Sequence, residues 1–428
     1  MSKTPGDLNP KTVIEPQQVA CLDIVHSLLS FRAKLNDNFG VAHVGSQHGN
    51  ARLQLVDLLI VLLAAFFNPF IRSHRLIEAL SAQAWMQQRA GMARVPRSTL
   101  SDALRRFDPQ QLRPLIAQLV AQIPQLKKRD GDLARITRQV LAADGSFFNL
   151  AGEAVWALQS RHRKSHAPQW QTRWNLQLDI DAFAPVDADV SGGDEKSEAA
   201  AFMRRLRPDV IYLIDRGFVH FGFINAVLKK NSSLVLRLKK STCFAVESRC
   251  PLTDKDRTLS VIGDETGYLS GPVCAGNNKR RSRTQEPPAQ RLRRVTLVNP
   301  ETGEQVYLLT DMLDVPAHVI GLLYRKRWQV ELFLRWLKCE AAFEHALSRS
   351  PRGVTMQLYV AMIGTLLLHL ATKRRVSKYT MFWMNSVAAG LATWDQMERG
   401  LERIEREKSL EKARLEKKKL AKAAAKNS

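Results

Sequence analysis

Between Arg138 and Lys240 the chain switches repeatedly between two hydrophobic periods, and this constrains its fold more than any other feature. The segments RQVLAADGSFFNLAG, WQTRWNLQLDID and FAPVDADV are apolar or alternate with a period of two, as half-buried strands do. EKSEAAAFMRRL reads as helix, DVIYLIDRGF as a short buried strand, HFGFINAVLKK as helix and SLVLRLKK as strand. The predicted order is β-β-β-α-β-α-β. Three strands followed by alternation give a mixed sheet with helices on its faces, an α/β fold.

Residues 1–137 read as helical. Ser73 is a candidate N-cap, Gly91 and Pro96 mark a turn, and Ser98 is a candidate cap for a new helix. That short helix carries Arg97, Arg105 and Arg106, in the manner of a helix-turn-helix that contacts DNA. Residues 241 to about 316 interrupt the α/β pattern with the short strand candidates CFAVES, RTLSVIGD, RRVTLVN and VYLLTDM, a β-rich insertion. Within it, Ala275–Arg294 has seven basic residues, one acid and two prolines and reads as a mobile loop. Residues 396–428 form a basic tail with helical propensity. The expected domains are therefore 1–137, 138–395 with its insertion, and 396–428.

Lys and Arg number 64 against 41 Asp and Glu, a net charge of +23 with a pI near 10.1. Such a surplus favours a polyanionic partner, and double-stranded DNA is the expected one. The five cysteines, Cys21, Cys243, Cys250, Cys274 and Cys339, form no CxxC pair, which fits a reduced compartment without a zinc knuckle. The polar start MSKTPGDLNPKTVIEPQQ has no signal-peptide pattern. Two apolar runs, Leu55–Phe67 and Leu358–Thr372, are shorter than the roughly 20 residues a bilayer needs. They read as core helices of a soluble cytoplasmic protein with no membrane partner.

Asp144 and Asp215 each end a hydrophobic strand, and in such a sheet both carboxylates can emerge at the same edge. Each also suits an ordinary turn. A third acid, Glu331, lies in LLYRKRWQVELFLRWLK. Read as one helix, that stretch places Tyr324, Arg327, Glu331 and Lys338 within an arc of roughly 60°. Val330, Leu332, Phe333, Leu334, Trp336 and Leu337 occupy the other side. Arg327 and Glu331 also suit a plain i,i+4 surface pair. Three clustered carboxylates repel one another, and divalent cations relieve that repulsion. Glu331 would then hold metal, while Arg327, Lys338 and Tyr324 would hold phosphates.

The pattern Y-x2-R-x3-E-x6-K resembles the Y-R-E-K signature of DDE transposases of bacterial insertion sequences, the insertion-sequence-four branch. ADGS at Asp144 and IDRGF at Asp215 resemble the two Asp motifs of that family. The resemblance covers roughly residues 138–372. It implies a ribonuclease-H-like catalytic domain binding two Mg²⁺ or Mn²⁺ per site. Asp144 would bridge both ions, and Asp215 and Glu331 would each complete one. It further implies cleavage at transposon ends, joining of the freed 3′-OH to target DNA, and action as a homodimer. Relatives that excise through a hairpin use a Trp in the insertion to stack a flipped base. None lies between Arg216 and Ile320 here, which leaves Phe244, Tyr268 and Tyr307 as aromatic substitutes. Two other readings stand beside this one: a nuclease of the same fold without strand transfer, and a DNA-binding relative without catalysis.

Overall fold

A computed structural model describes the chain except residues 1–52, 69, 72, 124–128, 130, 151–153, 162–167, 194–196, 271–285, 340–345 and 425–428. Cys21, Cys274, His162 and His166 lie outside the described residues, as does most of the Ala275–Arg294 loop. The chain divides into two compact units, residues 1–103 with 376–428, and residues 104–375.

In the first unit, α1 (Leu55–Phe67) is buried along its whole length. Helix α2 (His74–Ser81) is capped by Ser73, whose hydroxyl accepts from the Leu76 N–H. Helix α3 (Ala84–Ala90) ends at Gly91, in the left-handed region at φ 61°. Helix α4 (Arg97–Arg106), whose last three residues are assigned to the second unit, starts at Arg97 and not after Ser98, because the Leu100 N–H already bonds to the Pro96 carbonyl. Proline suits the entry to a helix, where no N–H is needed. Helices α12 (Lys378–Ala388) and α13 (Trp394–Ala424) complete this unit.

The second unit is built on a mixed sheet of ten strands. Strands β1 (Gln139–Leu150), β3 (Pro168–Asp179) and β4 (Ala184–Ser191) pair antiparallel, and β5 (Val210–Ile214) and β6 (Ser233–Arg237) add in parallel to β1. Helices α6 (Glu198–Met203) and α7 (Phe221–Lys229) form the connections that parallel strands require. A short β2 (Leu158–Arg161), absent from the expected order, pairs antiparallel with β3. Trp174 is buried there and stacks on Phe148 at 3.9 Å between ring centroids.

The insertion extends this same sheet. Strands β7 (Phe244–Arg249), β8 (Val261–Leu269), β9 (Leu292–Val298) and β10 (Gln305–Thr310) run antiparallel, and β10 pairs with β6. Residues 292–294 belong to β9 and not to a loop. Arg293 is buried there, with Nε and Nη2 donating to the two Asp264 carboxylate oxygens at 2.7 Å.

Two further expectations are corrected. The stretch 322–338 is two helices, α9 (Ala317–Lys326) and α10 (Trp328–Cys339), that meet at Arg327. There the Arg327 N–H bonds to Tyr324 and the Val330 N–H to Arg327, both i→i+3. Such a step advances about 120° per residue instead of about 100°, yet Arg327 keeps right-handed helical angles (φ −53°, ψ −35°) and still contacts both Tyr324 and Glu331. The apolar run at Leu358 belongs to α11 (Pro351–Thr372), whose 22 residues are long and apolar enough to cross a membrane, contrary to the shorter reading. Most of α11 is instead buried in protein, packed on α5 (Arg113–Gln122) and β4.

Candidate active site

Strand register brings the two aspartates together. Ala143 on β1 lies opposite Ile214 on the parallel strand β5. Asp144 and Asp215 are the next residues along and stand at one level, with about 4.8 Å between strands. Asp215 lies just past the end of β5, whereas β1 runs on to Leu150, so Asp144 sits within its strand and not at the strand end expected from the sequence. The strands hold this register because both are buried runs, with Val140 to Ala143 and Val210 to Ile214 all inside.

Helix α10 crosses this edge and packs on β1 and β3 through Val330, Phe333, Leu334, Trp336 and Leu337. Glu331 and Lys338 remain on its partly exposed side. The Arg327 guanidinium bonds to the Glu331 carboxylate and lies 3.7 Å from Asp144 Oδ2. The Tyr324 hydroxyl donates to Asp215 Oδ1 at 3.3 Å. Lys338 Nζ sits 4.8 Å from the centroid of the Phe148 ring, on the same face of β1 as Asp144. Asp144, Asp215, Tyr324, Arg327 and Glu331 thus form one linked group, with Lys338 at its flank. Arg97, Arg105 and Arg106 are exposed on α4 and take no part in the elements that build it.

Burial pushes the Asp144 carboxyl up to about 7, and the nearby Glu198 adds to the shift while Arg327 opposes it. Glu198 is itself pushed up by burial, against the pull of Arg173. Burial likewise raises the Tyr324 hydroxyl, which therefore stays a hydrogen-bond donor.

Glu198 was not singled out as a site residue. It stands at the first position of α6, after the N-cap Ser197, where an acid is routine. Nothing in EKSEAAAFMRRL distinguishes it; only the fold carries it to the carboxylates.

Every donor in the group is an oxygen, the preference of Mg²⁺ and Mn²⁺. As the side chains stand, no three His, Cys, Asp or Glu among the described residues are spaced to hold an ion. The guanidinium of Arg327 supplies the positive charge between Asp144 and Glu331 instead. The donor chemistry fits divalent cations, and the Arg327 guanidinium stands between Asp144 and Glu331.

A mixed sheet with one aspartate within a central strand, a second just past the end of the parallel neighbour, and a glutamate from a crossing helix marks a ribonuclease-H-like α/β domain. The chain belongs to the transposase DDE domain family, whose model matches residues 135–367. It is 28% identical over 211 residues to a protein of Sinorhizobium fredii named as a transposase, covering 49% of this chain and 55% of that one. It is 27% identical over 155 residues to a protein named as a transposase for insertion sequence element IS5377 of Geobacillus stearothermophilus, covering 36% and 37%. A Synechocystis protein named as a transposase for element IS4SA is 21% identical over 290 residues, 66% of this chain and 74% of that one. The chain thus spans about half or less of the first two relatives.

Proposed function

We propose that the chain is a DNA transposase that cleaves at transposon ends and joins them to target DNA by metal-dependent phosphoryl transfer. The observation that carries this reading is the register Ala143–Ile214, which sets Asp144 beside Asp215 under the helix that presents Glu331. Asp144, Asp215 and Glu331 would hold two Mg²⁺ or Mn²⁺. Bound there, the cations supply Lewis-acid stabilisation of the attacking and leaving oxygens in an in-line displacement.

The remaining residues have roles of their own. Arg327 would grip a phosphate in a bidentate manner. Lys338 adds a point charge on the same side. Tyr324 orients Asp215 through its hydroxyl. Arg97, Arg105 and Arg106 present exposed charge for double-stranded DNA, and the proposal includes action as a homodimer in the reduced, cytoplasmic compartment. The proposal includes membership of the insertion-sequence-four branch, which the Y-R-E-K pattern supports.

Replacing Asp144 or Asp215 by Asn, or Glu331 by Gln, is expected to lower Mg²⁺-dependent cleavage on the order of 10³-fold. DNA binding in gel shifts should stay within a few-fold. Supplying a DNA end with a free 3′-OH and a supercoiled target separates joining from hydrolysis. Cleavage at wild-type rates in all three amide variants would sink the assignment. Hydrolysis without any joined product would favour a nuclease.

A further inference from the structure

Glu198 reaches the carboxylate cluster from an element that carries none of the other three acids. A Cβ placed on Gly145 would stand 2.5 Å from Glu198 Oε1 and 3.1 Å from its Cδ. A Cβ on Gly217 would stand 4.0 Å from Glu198 Oε2. The Glu198 carboxylate therefore lies against the residue after Asp144 and close to the second residue after Asp215. Two glycines leave the room that it fills. Arg173 flanks it, with Cδ 3.2 Å from the same Gly145 position.

Oε1 of Glu198 is shut off from solvent and has no hydrogen-bond partner. A buried carboxylate oxygen without a partner is costly, and native structures rarely leave one so. The other acids each have a partner. Asp144 and Glu331 share Arg327, and Asp215 accepts from Tyr324. The unsatisfied oxygen thus belongs to a carboxylate whose charge acts on both aspartates, with the Arg173 guanidinium as the opposing charge at its side.

We propose that Glu198 is a fourth carboxylate of the cation site, holding metal through Oε1 alongside Asp144 and Asp215. This rests on the metal-dependent reading above. The plain alternative is a first-turn acid that stabilises α6 by its charge. That role predicts a small stability loss on neutralisation and no change in cation affinity.

The experiment is Mn²⁺ binding to the full chain without DNA, by electron paramagnetic resonance of free Mn²⁺, with the Mn²⁺-induced rise in Tm measured in parallel. The variants are Glu198→Gln, Glu198→Asp, Gly145→Ala and Asp144→Asn. Glu198→Gln is expected to weaken Mn²⁺ binding by about tenfold, within the range for residues that support a metal site. Its Mn²⁺-induced stabilisation should shrink by about 1.4 kcal/mol at saturating ion. Glu198→Asp should recover part of the loss. Gly145→Ala, which drives a methyl into the space of Oε1, should reproduce it, and it keeps the test open if Glu198→Gln fails to fold. Wild-type affinity in both Glu198→Gln and Gly145→Ala, with loss in Asp144→Asn, would overturn the role of Glu198 alone. Equal binding by wild type and Asp144→Asn would instead overturn the carboxylate centre itself.

Discussion

Arg327 touches two carboxylates at once, and its behaviour separates a surface pair from a phosphate grip. An ordinary exposed i,i+4 pair contributes at most about 1 kcal/mol to stability and nothing to DNA binding. Arg327 is instead largely buried, with 12% of its side chain exposed, and reaches back to Asp144 on another element. Arg327→Ala and Lys338→Ala are expected to flatten the salt dependence of log K for DNA by roughly one unit each. Glu331→Gln should leave that slope unchanged. Binding isotherms at several salt concentrations check this, and unchanged slopes in both alanine variants would make the stripe ordinary helix surface. Asp144 adds a pH dependence. Its folded carboxyl sits near 7, above the ordinary value of 3.8, so the metal-free fold loses stability as pH rises from about 4 towards 7. Cation binding needs the deprotonated form, so Mn²⁺ affinity should be about tenfold weaker at pH 6 than at pH 8. Calorimetric titration at the two values decides it; equal affinities would refute the shift as a determinant of binding.

At the scale of elements, a buried guanidinium ties the insertion to the segment that leads into α9. Arg293 on β9 forks onto Asp264 of β8 and donates to the carbonyls of Met312, Leu313 and Val315, the segment that leads into α9. Removing one member of a buried pair leaves an uncompensated charge, so Arg293→Ala should cost about 3–5 kcal/mol. The paired change Arg293→Met with Asp264→Leu should cost much less. Denaturant midpoints of the three chains measure the difference, and a loss below about 1 kcal/mol in Arg293→Ala would show the fork to be dispensable. Helix α11 carries the opposite case. His369 is fully buried with neither ring nitrogen bonded, and burial pushes it down to about 4. The unfolded chain takes up a proton near 6.5 and the folded one does not, so stability falls as pH drops from about 6.5 to 4. His369→Leu should remove this dependence and raise stability at pH 5 by about 1–3 kcal/mol. Thermal melts at pH 5 and 8 test it; an unchanged pH slope would count against the buried neutral imidazole.

At the scale of the whole molecule, charge is distributed to suit a polyanion. From Glu405 to Ser428 there are nine basic and four acidic residues, and the described side chains of this part of α13 are almost all exposed. Ending the chain before Glu405 is expected to weaken DNA association several-fold at low salt while leaving the cleavage rate of bound substrate near wild type. Gel shifts and single-turnover cleavage measure the two separately. Unchanged association would make the segment a solvated tail without a role.

The amino-acid sequence by itself determined the elements and their chemistry. Periods of two and 3.6 are local properties, so the alternating order apart from the short β2, Asp215 just past a strand end, and Glu331 on an amphipathic helix were legible residue by residue. That β1 continues through Asp144 to Leu150 was not, because Asp-Gly reads locally as a turn. The break at Arg327 was not, because hydrophobic spacing hardly distinguishes one i→i+3 step from a continued helix. Nor was the length of α11, whose first turns from Pro351 include polar residues that only the surrounding protein buries. Tertiary structure alone decided what depends on register and on meetings between distant segments. It set Ala143 opposite Ile214, joined the insertion to the sheet through β10 and β6, and buried Arg293 over Asp264. It also carried Glu198, a routine first-turn acid in the sequence, to the side of Gly145 and the carboxylate cluster. Such contacts arise from packing between residues tens of positions apart, and no local pattern encodes them.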